Sequence, residues 1–96
     1  MTVEVSNNVE ANRYEATVDG ALAGFAEYQL RDGIIVFTHT EVDSAFEGQG
    51  VGSALARSAL DDVRAAGERK VVPLCPFIKG WIEKHPDYEP LVAHRD

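Results

Sequence analysis

Three stretches of this 96-residue chain carry residue types that do chemistry. The first is Glu47-Gly48-Gln49-Gly50-Val51-Gly52-Ser53, which follows the strand-like run Ile34–Val42 and opens a helix-like run ending near Ala66. Glycines alternating at such a junction leave backbone N–H groups bare at the positive end of the helix, where phosphate binds well. The loop is expected to hold a pyrophosphate; an ordinary glycine-rich turn is the competing reading. The second is Cys75, which is either a thiolate nucleophile or a small buried hydrophobe. The third is His39 with Glu41. An imidazole suits proton transfer from a thiol or an amine near neutral pH. With strict period two, Ile35, Phe37, His39 and Glu41 share one face, and Val36, Thr38, Thr40 and Val42 the other. Glu41 then orients His39, acts as base through water, or is simply solvated.

The elements that must position these residues follow from patterning. Val3-Glu4-Val5 reads as a short strand closed by Ser6-Asn7-Asn8. Arg13–Val18 alternates, with Tyr14, Ala16 and Val18 on one face. Asp19-Gly20 and Asp32-Gly33 are hairpin signals, and between them Ala26, Tyr28 and Leu30 share a face. Ile34–Val42 is rich in β-formers. From Gly52 the recurrence of Leu55, Ala56, Ala59, Leu60, Val63 and Ala66 is helical, with Arg57, Asp61 and Arg64 on the wet side and Gly67 as the stop. Lys70–Pro76 is a fifth strand, parallel to the fourth because a helix precedes it. Pro73 and Pro76 lack N–H groups, so this strand is expected to part from its neighbour towards Cys75. Phe77–His85 is a short helix with Phe77, Ile78, Trp81 and Ile82 as its apolar stripe, ended by Pro86. Tyr88–Asp96 is tail, with a short strand suggested at Leu91-Val92-Ala93. The expected fold is α/β (α+β): a mostly antiparallel sheet of about five strands, a parallel fourth–fifth pair that splays, and two helices.

A chain of this length is expected to form one domain over residues 1–96 with a limited core. Its net charge of −7 argues against non-specific nucleic-acid binding and leans towards cationic partners such as amines. One cysteine excludes an internal disulfide and a cysteine-based zinc site, and no histidine–carboxylate spacing suggests a metal. The N-terminus lacks the basic and apolar regions of a signal peptide, and no apolar run approaches the length of a membrane span, so a cytoplasmic location is expected. His85 and His94 fit no pattern.

Taken in order, His39-Thr40-Glu41-Val42, the glycine loop with its helix, and Cys75-Pro76-Phe77-Ile78-Lys79-Gly80-Trp81-Ile82-Glu83-Lys84-His85-Pro86-Asp87-Tyr88 resemble the GCN5-related N-acetyltransferase superfamily. They resemble most its small single-domain, YjdJ-like branch. The resemblance implies acetyl-CoA as donor, lying between the fourth and fifth strands. The amides of Gln49, Gly50, Val51, Gly52 and Ser53 would hold the pyrophosphate. Backbone groups near Val42 and Leu74 would pair with pantetheine, and a backbone N–H there would face the oxyanion. Lys79 would meet a phosphate. It also raises Cys75 as a site of acetyl transfer, and brings in tyrosines as general acids, for which Tyr88 has the right chemistry. Gly50 and Gly52 match the last two fixed positions of the Gln/Arg-x-x-Gly-x-Gly/Ala pattern. Glu47 departs from the first, and a carboxylate cannot donate to phosphate. Larger relatives place helices between the first two strands. Here Ser6–Glu10 is too short for them, so the acceptor side is expected to be open or completed by a partner.

The function expected is acetyl-CoA-dependent transfer of an acetyl group to an amine of a small molecule or a protein. Direct attack and an acetyl-Cys75 route both stay open. A non-catalytic CoA-binding or protein-interaction module is the alternative. A dinucleotide-binding domain fits poorly, because Ser53 stands where its third glycine would be and the sheet is mostly antiparallel. Monomer and dimer are equally compatible with the sequence.

Overall fold

A computed structural model describes residues 2–93; His94 and the rest of the tail lie outside the described residues. Five strands form one sheet in chain order: β1 (Val3–Asn8), β2 (Arg13–Val18), β3 (Ala21–Arg31), β4 (Ile34–Val42) and β5 (Lys70–Pro73). The first four are antiparallel, and β5 joins β4 in parallel after helix α1 (Val51–Ala66). That topology removes the dinucleotide-domain reading, which needs repeated βαβ units. Tyr14, Ala16 and Val18 are buried as expected. Asp19 and Gly20 both take positive φ, at 51° and 82°, as a tight two-residue hairpin turn requires. β1 runs through to Asn8, three residues further than its punctuation suggested. Asn7 there accepts from the Tyr28 hydroxyl at 2.7 Å, and Asn8 donates to Glu15 at 3.1 Å. Only a single 3-10 turn, Val9–Ala11, then leads to β2.

α1 buries Val51, Leu55, Ala56, Ala59, Leu60 and Val63 against one face of the sheet, here called the inner face. Fully burying Leu55 and Leu60 contributes about 1.5–3 kcal/mol each, and the alanines let the helix lie close to the strands. Gly67, in the left-handed region, ends α1 with its N–H on Val63 O; Ala66 is exposed rather than part of the stripe. α2 (Pro76–Lys84) packs on the same side through Ile78, Trp81 and Ile82. β5 is shorter than the expected Lys70–Pro76 strand. Pro76 has no N–H to give a sheet and instead opens α2 as its first residue, with Cys75 as the N-cap. A 3-10 helix over Pro86–Leu91 follows and buries Tyr88. The expected strand at residues 91–93 reduces to one bridge, Val71 with Val92, and an Ala93 N–H bond to Val71 O of 2.8 Å. Among the described residues, no helix is long and apolar enough to cross a membrane.

Two bulges decide which side chains face the helices. In β3, Leu22 pairs Thr17 and Gly24 pairs Ala16, so Ala23 is extra and both Ala23 and Gly24 are buried. In β4, Glu27 pairs His39 and Tyr28 pairs Phe37, so Thr38 is extra. Its hydroxyl donates to Glu27 O at 3.4 Å. A residue inserted in one strand flips every later side chain to the other face. Ile35 and Phe37 therefore point inward, but so do Thr40 and Val42, while His39 and Glu41 point outward. The strict period-two grouping of Ile35, Phe37, His39 and Glu41 is corrected by that one residue.

Candidate active site

The site begins where β4 and β5 part. The Cys75 N–H donates to Phe37 O at 2.9 Å, which is the last link across the pair. β4 continues to Val42 with no strand paired to that edge among the described residues. On the other edge, the Asp43 N–H reaches Ala23 O at 2.8 Å. Backbone groups alternate in direction along a strand, so Thr40 and Val42 turn their N–H and C=O groups into the gap. Leu74 is exposed at the opposite lip. Its N–H is held by Val72 O at 3.2 Å in a tight turn, so of its backbone groups only the carbonyl is open.

The glycine loop stands at the same end of the sheet. Gly48 and Gly50 have φ of 82° and 79°, the left-handed region that a β-carbon disfavours. Gly50 is the N-cap of α1, and Ala54 is the first helical residue whose N–H finds an acceptor, on Gly50 O at 2.9 Å. Among the described residues no acceptor takes the amides of Gln49, Gly50, Val51, Gly52 or Ser53. The first turn also carries no acidic side chain, so nothing there opposes an anion. Glu47 is exposed and its carboxylate takes no part in this cradle.

α2 fastens that first turn. The Trp81 indole N–H donates to Ser53 Oγ at 3.1 Å. A β-carbon on Gly52 would lie 2.8 Å from the Phe77 ring, so the ring occupies space that only glycine leaves. Phe77 is 43% exposed rather than core, a correction to the expected stripe of α2. This contact, unforeseen from the sequence, makes the ring a wall of the cradle. Lys79 is exposed two residues further along α2, about half a turn on, and has no side-chain partner among the described residues.

Cys75 is 3% exposed, and its thiol donates to Thr40 Oγ1 at 3.3 Å. The structure does not bring His39 to it. His39 Nε2 lies 2.9 Å from Glu41 Oε2 on the outer face, with both side chains exposed. Phe25 stands edge-on to the imidazole at 6.2 Å, under the Arg13 guanidinium. Glu41 is hydrogen-bonded to His39 while both stay exposed, but the pairing of imidazole with thiol is corrected: the Thr38 bulge puts the two groups on opposite faces. No helix among the described residues covers the outer face.

Tyr88 is not at this site. Its hydroxyl donates to Asp61 at 2.7 Å, and the ring packs edge-on to Trp81. The bond to Asp61 raises its pKa, with burial adding to it. Asp61 is therefore tied to Tyr88 and Arg64 rather than free on a wet face. His85 stacks on Trp81 at 3.8 Å and is likewise a packing residue. No cluster of metal-ligating side chains occurs among the described residues.

A sheet that opens beside a helix start with unbonded amides was compared with known proteins. Residues 13–91 match the family model of GCN5-related N-acetyl-transferases, and the chain belongs to that family. A search of curated proteins gives no match. Among solved structures, an NMR structure from Staphylococcus aureus, described as a GCN5-like candidate N-acetyltransferase, superposes with a TM-score of 0.71 at 23% identity. It covers 97% of this chain and 90% of that one. A ribosomal-protein-S18-alanine N-acetyltransferase from Escherichia coli gives 0.59 at 24% identity, over 64% of this chain and 39% of that enzyme. A ribosomal-protein-alanine N-acetyltransferase from Brucella melitensis biovar Abortus 2308 gives 0.60 at 23%, over 88% and 63%. The chain thus spans well under two thirds of one of these enzymes and just under two thirds of the other. At these identities the likeness is one of fold.

Proposed function

We propose that the protein transfers an acetyl group from acetyl-CoA to an amine that approaches from the outer face of the sheet. The observation that carries this reading is the unpaired edge of β4 at Thr40 and Val42, next to five amides without acceptors. The residues fit the donor: the amides of Gln49 to Ser53 are its pyrophosphate cradle and Lys79 reaches a phosphate. Thr40, Val42 and the Leu74 carbonyl bind the pantetheine arm as an added strand. Bound there, acetyl-CoA supplies the thioester carbonyl that the amine attacks. An N–H of the β4 edge faces the carbonyl oxygen and stabilises the negative charge that develops on it. With Nε2–H donated to Glu41, His39 keeps Nδ1 to take the amine proton as the C–S bond breaks.

Direct attack is the route this geometry supports, because the Cys75 thiol is bonded to a hydroxyl and no base among the described residues pairs with it. The acetyl-Cys75 route is the second reading, favoured by the position of Sγ at the apex of the splay. Intact-protein mass after incubation with acetyl-CoA, with Cys75→Ala alongside, separates the two. Direct attack predicts no stable adduct and amine-dependent CoA release by Cys75→Ala within about threefold of wild type, since no group acting in the transition state is lost. One added acetyl group on the wild type alone, removed by an amine, would establish the cysteine route instead. Thermal protection by acetyl-CoA without CoA release across a broad amine panel would leave a binding module.

A further inference from the structure

We propose that the far end of α1 carries a second small-molecule site, which takes a compact amphipathic amine: an ammonium head on an aryl or branched alkyl body. A cavity of about 250 Å³ opens there between the last turn of α1 and the inner face of β1 to β4. Its lining on α1 begins at Asp62, so at about 1.5 Å per residue it stands about 17 Å from the start of the helix at the glycine loop. It is therefore distinct from the donor groove, and the outer-face His39–Glu41 pair is no part of it.

The walls are apolar, and two of them remain in contact with water. Val9 is 64% exposed and Leu30 41%, although Leu30 lies on the inward side of its strand beside Tyr28. An apolar ligand body covers both. The cavity lies just below the range of about 300–1,000 Å³ that holds drug-sized ligands, so the body is small.

The polar part of the lining selects the head group. Tyr14 donates its hydroxyl hydrogen to Asp62 at 2.6 Å, and Tyr28 donates its own to Asn7 at 2.7 Å. Both hydrogens are committed within the protein, so each phenol oxygen offers only a lone pair. Asp62 is an acceptor as well. Two carboxylates, Asp62 and Glu68, face one cation, Arg69, and the C-terminal end of α1 adds its partial negative charge. Two carboxylates against one guanidinium make the field negative, so an ammonium is matched, a carboxylate or phosphate is repelled, and a neutral alcohol gains much less.

Amide-resolved NMR titration of the full chain with 2-phenylethylamine and with 2-phenylethanol, without acetyl-CoA, tests this. Asp62→Asn keeps an oxygen for the Tyr14 hydroxyl while removing the charge. The expected result is saturable shifts at Leu30, Val63 and Ala66, at least tenfold weaker binding of the alcohol, and at least tenfold weaker amine binding in Asp62→Asn. If that variant loses its native spectrum, the exposed Glu68→Gln takes its place with a loss of about threefold expected. The proposal is overturned by no saturable shift at those residues, by equal affinity for amine and alcohol, or by shifts centred on residues 39–53. The last result would assign the amine to the acetyl-transfer site. Acetyl transfer plays no part in the readout, so failure of one reading leaves the other standing.

Discussion

Tyr88 shows how much a side chain's chemistry depends on where it ends up. A phenol after Pro86 has the right proton for a departing thiolate, yet here the hydroxyl is committed to a hydrogen bond with Asp61 of α1. Tyr88→Phe is expected to leave kcat within about twofold, whereas losing a true general acid costs about 10²–10⁴. The same change should cost about 1–3 kcal/mol in urea unfolding, because a charged acceptor loses its donor. Tyr14 is held more firmly still: burial first, then the bond to Asp62, raise its pKa far above that of a free tyrosine. A tyrosine whose pKa is raised by folding contributes stability that is complete below the unfolded value of about 10 and declines as pH rises past it. Above that pH the unfolded chain ionises first and draws the equilibrium towards itself. The thermal midpoint is therefore expected to fall above pH of about 10, and Tyr14→Phe to flatten that fall. An unchanged slope in the variant would mean that other groups govern alkaline unfolding.

The glycine loop and the β4 bulge are properties of elements rather than of single groups. Gly50 and Gly52 look equivalent in the sequence but do different work. Gly50 needs a positive φ, so Gly50→Ala should lower stability by about 1–2 kcal/mol along with CoA affinity. Gly52 has ordinary helical backbone and makes room for Phe77. That ring is the far end of a half-exposed side chain, so Gly52→Ala displaces it rather than straining the fold. Alanine's helix preference of about 1 kcal/mol offsets the change. Gly52→Ala is therefore expected to keep stability within about 1 kcal/mol while weakening CoA binding. Calorimetric titration beside urea unfolding checks both variants, and equal stability losses would contradict this division. Deleting Thr38 should leave the faces as they are. Without the extra residue Phe37 and His39 become neighbours in a regular strand, so His39 and Glu41 still point outward and Thr40 and Val42 inward. The expected outcome is a folded variant that loses about 0.5–3 kcal/mol in urea unfolding, from the lost local twist and the Thr38 bond to Glu27. A deletion variant that cannot fold would show that Thr38 is not the extra residue.

Across the whole molecule, the sheet divides two environments. Its inner face holds both helices, the core and the Cys75–Thr40 pair, and its outer face is open and carries His39, Glu41 and Phe25. The chain bears a net charge of −7. Such a field attracts cations and weakens with salt, as the screening length shrinks. For a doubly charged amine, kcat/KM is expected to fall about threefold or more between about 20 mM and about 200 mM salt. A weakly basic, neutral aryl amine should show no such fall. Equal salt dependence for the two would mean that the field does not steer the acceptor.

Strand alternation, the Asp-Gly turns, the helical stripe of α1 and the glycine loop are all legible in the sequence, because each depends on neighbours a few residues away. Residue types and short spacings set such features, and the two prolines were enough to expect the fifth strand to part from the fourth towards Cys75. What the sequence could not reveal depends on partners distant along the chain. Nothing in Val36-Phe37-Thr38-His39 marks Thr38 as extra; the register of Glu27 and Tyr28 across the sheet makes it so. That one residue separates the imidazole from the thiol. Likewise, Pro76 opens a helix rather than ending a strand because Cys75 is anchored to Phe37. Tyr88 meets Asp61, and Phe77 meets Gly52, only once α2 has docked on α1. Local preference chose the elements; packing between residues far apart in the chain chose which faces and which side chains meet.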